Sequence, residues 1–225
     1  MFRGSPYPRQ IYVVRPPAGI RFSRIELQQI TISILVLAFA FTILFSDPFS
    51  GQSLISLAFM FGISLIAVVT GFLFHELAHK ILAQRYGCWA EYRMYPFGLL
   101  FAIITAFLGF VFAAPGAVHV AGNVTKKQSG KISVAGPLTN ACVGGLFLAL
   151  AFGLAIIESP LYYIPWFIAF INFLLAGFNM IPFPPFDGSK VIGWSFGIYA
   201  LALTVIVSLG AVTWFFTDIL ILLGL

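Results

Sequence analysis

The sequence predicts an all-α polytopic membrane protein with about five to six transmembrane helices and one re-entrant or interfacial segment. Three observations carry this. The 225 residues are 60% hydrophobic and only 8% charged, far outside the range of soluble globular domains. Several uncharged apolar runs reach the ~20 residues that a helix needs to cross a hydrocarbon core. Lys and Arg gather in the N-terminal stretch, around residues 80–93 and before Ile132, where they act as topology signals. The net charge of +5 therefore belongs to membrane orientation and not to a nucleic-acid partner. The lipid bilayer is the expected surrounding, and residues 1–225 read as one membrane-embedded domain.

In chain order, residues 1–26 form a basic, Pro-rich tail with Arg3, Arg9, Arg15, Arg21 and Arg24. No cleavable signal peptide is expected in it. Leu27–Ser46 is the first span. The turn at Asp47-Pro48 has no Lys or Arg and falls outside the membrane. Leu54–Phe74 carries no charge and returns inward. Leu99–Ala114 is apolar but short. If it crossed, Lys126, Lys127 and Lys131 would lie outside, so it is expected to re-enter or to lie along the interface. Val118-His119-Val120 reads as a short strand. Spans follow over Ser133–Ile157 and Tyr162–Met180. The segment from Asn179 to Gly188 contains Pro182, Pro184 and Pro185, which break a helix. Broken backbone at membrane depth is tolerated where it lines a cavity. Residues 194–225 form one peripheral helix or two. Cys88 and Cys142 stand apart without a C-x-x-C pattern, which excludes a thiolate metal site.

The second span ends in GFLFHELAHKILAQRYG, with His75, Glu76 and His79 in the order H-E-x-x-H. Residues four apart share a helix face, so both imidazoles can hold one metal ion while Glu76 reaches water beside it. The chain has three histidines, and two of them are here. A catalytic zinc usually has a third protein ligand. The seven acidic residues include Asp47 and Glu158 on the outer side and Glu26 in the tail. Glu91 lies in a polar stretch where a solvated role is expected, and Asp218 is in a late helix. Asp187 stands at inner membrane depth on the proline-shaped break. His119 is the competing nitrogen ligand.

The combination of FHELAHK, AGPLTN and NMIPFPPFDG, in that order on three spans, resembles the site-2 protease family of intramembrane zinc metalloproteases. The resemblance covers residues 54–193 and implies a three-helix catalytic core. It implies one zinc ion held by His75, His79 and Asp187, with Glu76 as the catalytic carboxylate. It also implies transmembrane protein or peptide substrates, cut near the cytoplasmic face of what is expected to be the cell membrane. Asn140 is a candidate oxyanion or substrate contact; packing between helices is the other role open to it. A metal carrier is the rival class, and ionisable residues spread across the bilayer would favour it. Here they collect near one side. Lys80, Arg85, Arg93 and Lys190 imply hydrated surroundings at that face. The first span and the segment after Val191 carry no ligand and are the expected gate.

Overall fold

The computed structural model describes residues 20–46 and 51–224. The basic stretch before residue 20 and the Asp47-Pro48 turn lie outside them. Helix α1 runs Arg24–Ser46, so it begins before the expected boundary and takes Glu26 into its first turn. The Ser53 hydroxyl accepts from the Ser56 N–H and caps α2, Leu54–Val68. A π-helical turn, Val69–Leu73, joins α2 to α3, Phe74–Arg85. The three pieces make one continuous rod, Leu54–Arg85. Then come β1 (Trp89–Met94), α4 (Pro96–Phe107), β2 (Gly116–Ala121) and α5 (Lys126–Ile156). A single turn leads to α6 (Tyr163–Asn179), followed by α7 (Asp187–Trp194), α8 (Phe196–Trp214) and α9 (Phe216–Leu223).

Among the described residues five helices are long and apolar enough to cross a membrane: Arg24–Ser46, Leu54–Arg85, Lys126–Ile156, Pro160–Asn179 and Phe196–Trp214. The short apolar segment does not cross. After α4 the chain turns back, and the Tyr95 N–H donates to the Pro115 carbonyl at 2.8 Å. β1 and β2 then pair antiparallel, from Trp89 opposite Ala121 to Met94 opposite Gly116. Entry and exit of this hairpin therefore coincide. Alternation of the spans brings the start of α1, the end of α3, the start of α5 and the start of α7 to one end. Arg24, Arg85, Lys126, Lys127, Lys131 and Lys190 sit there together. The start of α5 is fixed by a reciprocal cap between Thr125 and Gln128.

One apolar cluster joins α1, the rod, α4 and α6, through residues such as Leu37, Phe41, Val68 and Ile171. A second joins α5, α6, α8 and α9, through Phe173, Ile206 and Phe216. Phe147 and Trp166 pack against both, so the core is continuous. The outer faces carry exposed Leu54, Ile55, Leu146, Leu201 and Leu222. A belt of this kind is stable against lipid and not against water. The C-terminal question resolves as two helices, with a break at Phe215.

Candidate metal centre

The motif helix α3 lies against the start of α5, and α7 closes the other side. His75, Glu76 and His79 are all buried. The two imidazoles are held by their inner nitrogens. His79 Nδ1 lies 2.7 Å from the Ile132 carbonyl. A carbonyl only accepts, so Nδ1 carries the proton and Nε2 keeps its lone pair. His75 Nδ1 lies 3.3 Å from Asn140 Oδ1. The orientation of that amide is set by its other half, because Asn140 Nδ2 donates to the carbonyls of Gly71 and Asn172. His75 therefore also presents a bare Nε2.

Both Nε2 atoms converge on one carboxylate oxygen, Asp187 Oδ2, at 3.3 Å from His75 and 3.0 Å from His79. Among the described residues these three form the one His/Cys/Asp/Glu group whose ligand atoms all lie within 4.8 Å of one another. Zinc–ligand bonds of 2.0–2.2 Å in a tetrahedron give ligand–ligand edges of about 3.3 Å, and the two edges to Asp187, 3.3 and 3.0 Å, lie near that. The space is also reserved. A Cβ on Gly136 would stand 2.6 Å from the Nε2 atoms of both histidines, so only glycine leaves room for an ion. Two neutral imidazoles and a carboxylate are donors that suit zinc. Asp187 reaches them because the chain breaks after α6. Gly188 permits the approach: a Cβ there would lie 2.3 Å from the Met180 carbonyl.

Glu76 does not join the ligand group. Its Oε2 accepts from the Val118 N–H of β2 at 3.0 Å. A cavity of about 470 Å³ opens beside His75, Glu76, His79 and Asp187, with Val118 and Val120 of β2 on its wall. Leu37 and Phe41 of α1 and Phe178 of α6 continue that wall away from the ligands. α8 packs on α5, α6 and α7 and contributes nothing to the cavity. The lining thus draws on α1 and α6 as well as on α3, β2, α5 and α7.

Several expectations change in detail. Asn140 is fully buried with both ends of its amide engaged, and it does not line the cavity. It has no free donor for an oxyanion. His119 is exposed on the sheet, opposite Glu91, away from the ligands. Glu91 is buried, not solvated; Ser23 donates to it and Arg93 lies 3.1 Å away. Lys80, expected at a hydrated face, is buried against Glu26 at 2.7 Å. Asn179 Nδ2 donates to the Leu175 carbonyl of its own helix. Burial pushes the Tyr92 phenol well above its ordinary range, so it stays neutral between Ser33 and the Pro115 carbonyl. Sequence reasoning gave no role to Gly136, although it stands in the AGPLTN stretch, nor to Val118 as a partner of Glu76.

The chain is 43% identical over 186 residues to "Putative zinc metalloprotease MJ0611" of Methanocaldococcus jannaschii, covering 80% of this chain and 90% of that protein. It is 31% identical over 129 residues to "Putative zinc metalloprotease Rip3" of Mycobacterium tuberculosis, covering 56% of this chain and 29% of that protein. It is 27% identical over 148 residues to "Putative zinc metalloprotease YwhC" of Bacillus subtilis, with 57% and 66% covered. No family model matches the chain. No solved structure matches it.

Proposed function

Because the chain belongs to the site-2 protease family of zinc metalloproteases, we propose that it hydrolyses peptide bonds within transmembrane helices of membrane-protein substrates. One observation carries this reading. A buried three-ligand group stands at one end of a five-span bundle, and its cavity continues between apolar walls of α1 and α6.

His75, His79 and Asp187 would hold the zinc. When bound, zinc supplies Lewis acidity, which lowers the pKa of water from 15.7 to about 7 and polarises a carbonyl. Glu76 takes the proton of the attacking water and delivers it to the leaving amine. The Val118 N–H fixes one oxygen of Glu76, leaving the other for that proton. Asn140 is assigned a positioning role in place of an oxyanion contact: it orients His75, as partners of metal-bound histidines commonly do.

A substrate helix pairs all its own backbone groups and must unwind before it is cut. β2 offers a place for the unwound strand, since main-chain pairing at a sheet edge holds extended peptides. Substrate enters from lipid between α1 and α6. All described Lys and Arg residues gather near the metal-site end, which by the basic-residue rule faces the cytoplasm of a cell membrane.

The test is Glu76→Gln in proteoliposomes with a single-span peptide. We expect zinc content to stay near one per chain while cleavage falls by ~10³-fold or more. Cleavage near the wild-type rate would refute the assignment.

A further inference from the structure

The two-stranded sheet has two outer edges, and they are treated differently. Tyr92 and Val118 are opposite one another. The Val118 N–H points to Glu76 and the Tyr92 N–H to Glu26, so in this pair the main chain faces outward on both strands. On β1 every outward group for which a partner is resolved meets a side chain from a helix. The Tyr92 N–H donates to Glu26 Oε1 at 2.9 Å. The Met94 N–H donates to Gln29 Oε1 at 3.0 Å. The Ala90 carbonyl accepts from Lys80 Nζ at 2.9 Å. Lys80 Nζ also donates to both oxygens of Glu26 at 2.7 Å, which uses all three of its protons. On β2 the outward edge carries Gly116, Val118 and Val120, and all three line the cavity.

An unpaired strand edge is a template for another chain. Here one edge is closed by α1 and α3, and the other faces the cavity, with its Val118 N–H held by Glu76. We propose that Glu26, Gln29 and Lys80 are positioning residues that seal β1 and hold the sheet at a fixed height over the metal site, so that an unwound substrate strand pairs with β2 alone. This deepens the proteolytic reading and rests on it. The arrangement differs from a plain ion pair in one respect. The Tyr92 N–H needs an acceptor and the Ala90 carbonyl needs a donor, so the charges cannot be exchanged.

The experiment uses the full chain loaded with zinc in proteoliposomes. The probe is a synthetic single-span Ala/Leu peptide with a central Gly-Pro pair. Glu26→Ala should raise KM about tenfold, with kcat within about twofold and zinc content unchanged. Gln29→Leu, which disturbs no charge, should raise KM about threefold, and Gln29→Glu should restore it. Hydrogen exchange supplies a readout without catalysis: the amides of Tyr92 and Met94 should lose protection in Glu26→Ala and Gln29→Leu respectively. The swap Glu26→Lys with Lys80→Glu should rescue neither KM nor protection. Full rescue by the swap would reduce the contact to an ion pair and overturn the proposal. Unchanged KM and unchanged protection in Gln29→Leu would overturn it as well. If the wild type does not cut the probe, the proteolytic reading fails, while the exchange data still decide whether the edge is sealed.

Discussion

A methyl group at position 136 would lie 2.6 Å from the Nε2 atoms of both His75 and His79, in the place where their lone pairs converge. Gly136→Ala should therefore expel the ion and leave the helix intact, since alanine is the better helix former. We expect zinc to fall from about one per chain to under a tenth, by elemental analysis of folded protein. Gly145→Ala on the same helix meets nothing within 4 Å and should keep its zinc. The histidine pair was legible because helical spacing alone puts both side chains on one face. Asp187 was legible because prolines mark a break at membrane depth. Gly136 was not. The collision that makes it necessary arises between α3 and α5, and no local pattern records it.

At the scale of elements, the hairpin from β1 through α4 to β2 is what keeps the basic segments together. Its short length was visible in the sequence, and so was strand character at Val118–Val120. The partners that seal β1 were not. Glu26 and Lys80 stand far apart in sequence and read separately as a tail residue and a solvated lysine. Buried charge pairs of this kind follow from tertiary packing and leave no periodic trace. Cysteine labelling tests the hairpin. In sealed vesicles of a variant lacking Cys88 and Cys142, Arg85→Cys and Lys127→Cys should react from the same side. Reaction from opposite sides would mean that α4 crosses the membrane.

For the molecule as a whole, the metal would tie α3 to α7, which meet only through the fold. A ligand that binds the folded state alone stabilises it by RT ln(1 + [L]/Kd), about 4 kcal/mol at a thousand times Kd. At ~2–4 °C per kcal/mol for a chain of this size, chelation should lower the unfolding temperature on the order of 10 °C. Added zinc should restore it, and His79→Ala should abolish the response. The five-span bundle could be read from apolar run length. The end of the chain could not, because a uniformly apolar stretch has no contrast from which to place a break, and α8 stops at Phe215 without proline or glycine at the junction.

The π-helical turn at Val69–Leu73 accommodates one residue more than a regular helix would over the same path. Winding those same residues as uninterrupted α-helix, with none removed, would give up that accommodation. The cost would be a rotation of α3 by ~100° and a shift of ~1.5 Å relative to α2. His75 and His79 would then swing off Gly136 and Ile132, while the lipid-facing side of α2 stayed where it is. An insertion of one residue thus uncouples two requirements that a single straight helix would impose together. The membrane half of the rod can present its apolar face, and the chemical half can present its ligands, at angles set independently of each other.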